Sequence, residues 1–113
     1  MNHQHAILHL SLINGVGPIT IQKIIAHIPA TYAWHDIYLF SIHDWMKLGI
    51  IPSTAATLYK GLQDRMMLEK ELALMQKHAI SFVTIIDESY PHYLRSIYAP
   101  PSVLYYQGTI TYM

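Results

Sequence analysis

The chain has 113 residues, of which 52% are hydrophobic and 12% charged, and its formal net charge at neutral pH is zero. This length accommodates one domain, or one domain and part of another. The absence of cysteine excludes disulfides, Cys-ligated zinc and a thiol nucleophile. The balanced charge argues against binding of nucleic acid through a broad positive field.

The N-terminal residues lack the basic region and the small-residue cleavage site of a signal peptide. No run of 18 apolar residues is present, so no segment is predicted to span a membrane. Together with the missing cysteines, these features predict a cytoplasmic protein that does not associate with membranes.

The first predicted elements are two helices joined by a glycine-rich turn. Residues 5–13 are apolar and predict a helix of about two turns, with a strand as the alternative. Residues 14–17 predict a turn, because glycine permits a positive φ, and Pro18 suits the first position of a new helix. Isoleucines at helical spacing predict that helix over residues 19–28, ending before Pro29.

A second pair of helices follows. Residues 41–49 predict a short helix that begins with a capping box, in which Ser41 is the N-cap and Asp44 the third helical residue. Gly49 is expected to end this helix. Residues 52–62 predict the next helix, which again begins with proline.

The last third of the chain changes period. Residues 63–79 carry an apolar stripe at helical spacing and predict a long amphipathic helix. Residues 80–86 and 102–108 are rich in β-branched and apolar side chains, which predicts two strands buried on both faces.

The two predicted helix pairs resemble each other at an offset of 34 residues. Each consists of a helix, a glycine turn, a proline and a second helix, which suggests a pseudo-symmetric four-helix unit. The matched pairs are Gly15 and Gly49, Pro18 and Pro52, Thr20 and Thr54, and Ile24 and Leu58.

The first glycine turn is a candidate phosphate-binding site. In a helix-hairpin-helix motif, backbone N–H groups at the start of the second helix point at a phosphate, and the helix dipole favours the negative charge. The alternative is a tight turn with no ligand. The second copy has Ile51 where the first has Gly17, which weakens the phosphate interpretation there. The predicted DNA-binding residues are Gly15, Val16, Gly17, Thr20 and Lys23.

Two further clusters could carry chemistry. His5 and His9 have a helical metal-ligand spacing, but no cysteine or carboxylate lies near them, so a surface pair without metal is favoured. Asp87, Glu88 and His92 follow the first strand, where carboxylates can be functional. Capping of a short helix by Asp87 is the favoured alternative. With no Walker or dinucleotide-binding motif present, neither a catalytic site nor a cofactor is predicted.

Residues 85–108 resemble the DNA-processing protein A family, also called DprA or Smf. That family carries a strand, Asp-x-x-Tyr-Pro-x-x-Leu, a dipeptide near Pro-Pro, and a strand that ends in glycine. The N-terminal part, with its Gly15-Val16-Gly17 turn, is similar to the family's helical leading domain. The corresponding family-motif residues are Asp87, Tyr90, Pro91, Leu94, Pro100, Pro101 and Gly108.

The resemblance implies a mainly α, SAM-like or helix-hairpin-helix bundle over residues 1–62. It implies that residues 63–113 are the first β-α-β elements of a truncated Rossmann-like α/β domain. The resemblance implies that the protein binds single-stranded DNA and a RecA-type recombinase in natural transformation. It also implies that the protein self-associates and has no enzymatic activity. The motif residues are expected to be structural.

Two other functions remain open. The helical part could be a protein-protein interaction module that makes no DNA contact, which the zero net charge favours. A nucleotide-dependent enzyme on a Rossmann-like fold has only fold analogy in its support. The Gly15-Val16-Gly17 turn favours DNA.

Overall fold

A computed structural model of the chain describes residues 3–28 and 34–107, and these are mainly helical. Most of the predicted helices are confirmed. Pro29 and Gly108, for which the sequence also made predictions, lie outside the described residues. The described elements are α1 (His3–Leu12), α2 (Pro18–His27), a 3-10 helix (Trp34–Leu39), α3 (Ile42–Lys47), α4 (Pro52–Gln63), α5 (Arg65–Lys77), β1 (Ile80–Thr84), α6 (His92–Arg95) and β2 (Val103–Gln107).

Helix α1 lies at the centre of the molecule. Residues 6–10 are fully buried on every side of the helix. Helices α2, α4 and α5, the 3-10 helix and both strands contact it. A helix that is apolar all round is stable only inside a protein, so the helical prediction for this segment is confirmed and the strand alternative is wrong.

Local capping sets the boundaries of the next helices. The capping box of α3 is confirmed, because Ser41 Oγ accepts from the Asp44 N–H at 3.2 Å while Asp44 Oδ2 accepts from the Ser41 N–H at 2.8 Å. The predicted helix over 63–79 is shorter than expected. Asp64 caps it by accepting from the Met67 N–H at 3.2 Å, which separates α4 from α5.

The two glycine turns have the same backbone geometry. Gly15 has a φ of 94° and Gly49 a φ of 87°, both in the left-handed region that favours glycine. Pro18 and Pro52 each begin the helix that follows. The two turns predicted from the sequence are therefore confirmed.

The two strands form an antiparallel pair in which Phe82 lies opposite Tyr105. The strand-helix-strand order is as expected, but a β-α-β unit of a Rossmann-like sheet would pair its strands in parallel. The connection contains only the four-residue α6 and returns the chain antiparallel. Burial on both faces is also wrong: Ser81 and Tyr105 are exposed, because a two-stranded sheet cannot surround either strand.

Two apolar clusters hold the elements together, and α1 contributes to both. The larger one joins α1 to α4 and includes Leu10, Trp45 and Leu58. The smaller one joins Leu8 of α1 to Leu68 and Met75 of α5, with side chains of both strands packed against it. The domain boundary between residues 62 and 63 stays a prediction.

No helix within residues 3–28 and 34–107 has both the length and the apolar character that crossing a membrane requires.

The packing of Gly61 generates a stability prediction. A Cβ at this position in α4 would lie 2.7–2.8 Å from three side-chain atoms of Ile13, which is itself buried. An alanine usually stabilises a helix relative to glycine by about 0.5–1 kcal/mol. Here we expect Gly61→Ala to lower the free energy of unfolding by about 1–3 kcal/mol, because the core is overpacked. Urea denaturation measures this quantity.

A double-mutant cycle supplies the control. Ile13→Ala removes the clashing atoms, so Gly61→Ala should cost less in that background than in the parent chain. Equal costs in the two backgrounds would show that the clash with Ile13 is not the cause.

Candidate functional site

The two helix hairpins, α1–α2 and α3–α4, contact each other reciprocally. Lys23 Nζ of the first hairpin donates to the Gly49 carbonyl of the second at 3.2 Å. Thr57, which corresponds to Lys23 in the repeat, lies against the first turn, with its Cγ2 3.9 Å from where a Cβ on Gly15 would stand. Each hairpin thus presents the same position of its second helix to the other's turn, as an approximate two-fold axis requires.

The repeat extends to the backbone and the core. Ile21 N–H donates to the Gly17 carbonyl at 3.1 Å, and at the equivalent place Ala55 N–H donates to the Ile51 carbonyl at 2.9 Å. Such a bond is common to helix starts, so the predicted repeat is supported by the matched φ values of the turns, the reciprocal contacts and the buried pairs. The equivalent pairs buried in the same cluster are Val16 and Ile50, Ile21 and Ala55, and Ile24 and Leu58.

The starts of α2 and α4 are uncapped. Among the described residues, no side chain caps either helix, and the residues at both N-cap positions, Gly17 and Ile51, are extended. The first helical residue of each is proline, which has no N–H. The N–H groups of the next two residues lack intrahelical partners, and the positive end of each helix dipole lies there. Both helix starts therefore favour an anion.

A cavity of about 190 Å³ lies between the two hairpins. The described residues that line it include Thr20 and Thr54, the third residues of α2 and α4, and no carboxylate. Lys23 brings a positive charge to the cavity, and Ile50 and Ile51 complete its lining. One residue from the first turn of each helix and the side chain of Lys23 thus line a common space.

The structure separates the predicted DNA-binding residues by role. Val16 is buried and its N–H donates to the Ile13 carbonyl, so it serves the fold and its side chain cannot reach DNA. The positive φ at position 15 explains why a glycine stands there. Gly17 is exposed and Thr20 half-buried. The ammonium of Lys23 lies at the second turn instead of in front of Gly17.

Among the glycines of residues 3–28 and 34–107, Gly17 is the one whose backbone angles and packing do not require glycine. Its φ of −99° and ψ of 179° are open to any residue. No described atom lies within 4 Å of the place where its Cβ would stand. At the equivalent position of the second hairpin, Ile51 is accommodated with 62% of its surface exposed. Glycine at position 17 therefore keeps the space before α2 open.

Asp87 ties the loop after β1 to helix α1. Its carboxylate accepts from His3 Nε2 at 2.6 Å and from Gln4 Nε2 at 3.2 Å. It also accepts from the N–H and the hydroxyl of Thr84 at 2.7 and 2.8 Å. Burial would raise the pKa of Asp87, but these hydrogen bonds outweigh burial and lower it. Capping of α6 by Asp87 is wrong, because α6 has Pro91 as N-cap and no side-chain cap.

The other family-motif residues pack the connection between the strands. Tyr90 is buried and its hydroxyl donates to the Pro101 carbonyl at 2.7 Å. Pro91 and Pro100 are buried, whereas Leu94 is half-buried. These placements are structural, and Gly108 lies outside the described residues.

His9 is not the surface residue that its spacing with His5 suggested. It is fully buried, with Nδ1 2.8 Å from the Tyr38 hydroxyl and Nε2 donating to the Asp64 carbonyl at 3.1 Å. Since a carbonyl only accepts, Nε2 carries the proton and Nδ1 accepts from Tyr38. The apolar residues on both sides of His9 were the signal for burial. His5 is half-buried and its ring stacks on Phe82.

The comparisons with known proteins return nothing: no protein-family model, no curated protein and no solved structure matches the chain.

His9 generates a prediction of acid sensitivity. Burial lowers the pKa of His9, and the carbonyls of Asp64 and Gly61 offset burial only in part. Below about pH 6.5 a histidine in the unfolded chain takes up a proton. In the folded state His9 stays neutral to a lower pH. As the pH is lowered below about 6.5, the free energy of unfolding should therefore decrease, by up to about 1.4 kcal/mol per pH unit, until the pKa of His9 in the folded state is reached. Urea denaturation across this range measures the slope.

The matched control is His9→Gln, which lacks the titrating ring. It should be less stable at neutral pH, and its unfolding free energy should depend less steeply on pH below about 6.5. Parallel curves for the two proteins would contradict the assignment.

Proposed function

We propose that the protein binds single-stranded nucleic acid through phosphate contacts at the paired hairpins and acts as a non-enzymatic DNA-handling protein. The observation that carries this proposal is Gly17, which keeps the uncapped start of α2 open although the fold accepts isoleucine at the equivalent position 51. Glycine without a conformational need is typical of places where a ligand approaches the backbone closely.

The electrostatics of the site support an anionic ligand despite the zero net charge. Thr20 and Thr54, from the first turns of α2 and α4, line one cavity together with Lys23, and no described carboxylate lines it. One charge-assisted phosphate contact contributes about 1–2 kcal/mol. Binding by this chain alone is therefore weak, in the millimolar range or above, and tightens with each additional contact.

The resemblance to the DNA-processing protein A family extends the proposal. In that family the bound single strand is delivered to a RecA-type recombinase in the cytoplasm during natural transformation, and we propose the same role here. The two hairpins are then helix-hairpin-helix motifs of a SAM-like unit. Residues 87–101 hold the connection between the two strands, which pair antiparallel and not in the parallel arrangement of a Rossmann-like sheet.

The internal repeat permits a reciprocal test of the proposal. Gly17→Ile copies the second hairpin into the first and should weaken binding of a single-stranded oligonucleotide several-fold without loss of stability, because the side chain fills the approach to α2. Ile51→Gly should have the opposite effect, because it opens the approach to α4. Amide chemical shifts of Ile19 and Thr20 on titration with the oligonucleotide detect binding at millimolar affinity.

Charge variants control this experiment. Lys23→Gln should reduce the slope of log affinity against log salt by about 0.7, the value for one phosphate on a single strand. Lys77→Gln, an exposed lysine on α5 outside the site, should leave the slope unchanged. Binding that survives Gly17→Ile and Lys23→Gln but is lost in a folded Asp87→Asn variant would place the site at the strand ends.

The second candidate function is a protein interaction or self-association module. Apolar side chains of the helical surface are exposed, among them Leu39 at 79%, Met66 at 58% and Leu74 at 53%. In the described sheet, β1 and β2 each keep one unpaired edge, which can pair with another chain.

Self-association makes its own prediction. The sedimentation coefficient should rise with protein concentration through the micromolar range, because pairing of sheet edges and apolar patches removes them from water. Leu74→Glu should shift that rise to higher concentration, whereas Lys77→Gln on the same helix should not. A monomer at every concentration, together with a positive oligonucleotide titration, would remove this candidate.

A further inference from the structure

We propose that a cavity between the first hairpin and β2 receives an unpaired nucleobase whose phosphate is bound at the start of α2. The inference rests on the proposed function and deepens it, because it specifies where the base of a bound nucleotide lies. The cavity has a volume of about 240 Å³. Clefts that hold drug-sized ligands are larger, about 300–1,000 Å³, so this cavity suits a single base.

The first part of the lining comes from α1, the first glycine turn and α2. Leu12, Val16, Pro18 and Ile21 give it an apolar surface. Val16 and Ile21 are buried in the larger apolar cluster, and the Ile21 N–H donates to the Gly17 carbonyl at 3.1 Å. This side of the cavity is therefore held by the core and exists before a ligand binds.

The second part of the lining comes from the beginning of β2 and the two residues before it. The Pro101 carbonyl accepts from the Tyr90 hydroxyl at 2.7 Å, and the Ser102 carbonyl accepts from the Ile85 N–H at 3.0 Å. These hydrogen bonds fix the backbone on this side as well. A cavity with both sides fixed loses little conformational freedom on binding.

Tyr105 adds an aromatic ring to the lining. Its hydroxyl donates to the Glu71 carboxylate at 2.9 Å, which restrains the ring. Glu71 lines a different cavity, and no Asp, Glu, Lys or Arg is among the described residues that line this one. Its apolar and aromatic surface suits the uncharged faces of a base.

Ser102 is the residue that points to a ligand. It lines the cavity and is 4% exposed, and its buried Oγ has no hydrogen-bond partner among residues 3–28 and 34–107. Buried hydroxyls in folded proteins nearly always have a partner. Ser11, which also lines the cavity, has one, because its hydroxyl donates to the Leu8 carbonyl at 2.6 Å. A base can supply the missing partner of Ser102, since base edges carry both donors and acceptors.

The first turn of α2 connects this cavity to the proposed phosphate site. Pro18, the first residue of α2, lines this cavity, and Thr20, the third, lines the cavity that contains Lys23. In a nucleotide only the sugar separates the base from its phosphate. A phosphate at the N–H groups of Ile19 and Thr20 therefore leaves its base next to Pro18. Bases in a duplex are paired and stacked, so only an unpaired base can enter.

The test titrates three probes separately into the full chain: thymidine monophosphate, thymidine, and deoxyribose phosphate, which has no base. The nucleotide should bind about tenfold more tightly than deoxyribose phosphate. Thymidine alone should shift the amide signals of Ser102 and Val103. Equal affinity for the nucleotide and for deoxyribose phosphate would overturn the base cavity. Binding of thymidine without binding of deoxyribose phosphate would uphold the cavity and overturn the phosphate site.

Serine variants separate binding from folding. Ser102→Ala should weaken binding of the nucleotide about twofold to tenfold and leave binding of deoxyribose phosphate unchanged. It should not lower the free energy of unfolding, because the hydroxyl has no described partner to lose. Ser81→Ala, at an exposed position of β1, is the matched control and should bind like the parent. Ser11→Leu should abolish binding of thymidine, because the larger side chain fills the cavity from α1.

Two further results would overturn the base cavity. A Ser102→Ala variant that is less stable but binds the nucleotide like the parent would show that the hydroxyl serves the fold. Toluene that binds as tightly as thymidine would show an apolar cavity without preference for a base.

Discussion

The burial of α1 on all sides is the constraint on which the rest of the structure depends. Residues 6–10 have no exposed surface, because α2, α4, α5, the 3-10 helix and both strands pack around α1. The same burial forces the polar ring of His9 to find partners, which Tyr38 and Asp64 supply. Asp64 in turn caps α5. One central helix therefore fixes the 3-10 helix, the α4–α5 junction and both apolar clusters.

The two hairpins have similar buried side chains but differ at an exposed position. Their buried positions carry matched apolar side chains, because the same packing is repeated about the approximate two-fold axis. At the exposed N-cap position one hairpin has Gly17 and the other Ile51. Core packing does not require this difference between Gly17 and Ile51, which is confined to the exposed surface. In the proposed function, this asymmetry separates the residues that pack the fold from the one that leaves room for a ligand.

Features fixed by neighbours in the chain could be predicted from the sequence, and features fixed by distant contacts could not. The capping box at Ser41 and the turns at Gly15 and Gly49 need only a few adjacent residues, and they are confirmed. The partners of Asp87 include His3 and Gln4, more than 80 residues away, so local capping was the wrong inference. The proposed phosphate site shows the same division: the sequence motif indicates Gly17, but the contact of Lys23 with Gly49 depends on how the hairpins pack.

The central position of α1 also has a consequence for biosynthesis. At about 5–20 residues per second, the ribosome releases the β2 segment about 5 to 20 s after the α1 segment that it covers. During that interval helices α2 and α4 can cover one side of α1. The side that bears Leu8 stays uncovered until α5 and the strands have been synthesised. The nascent chain therefore exposes an apolar helix until its final strands emerge.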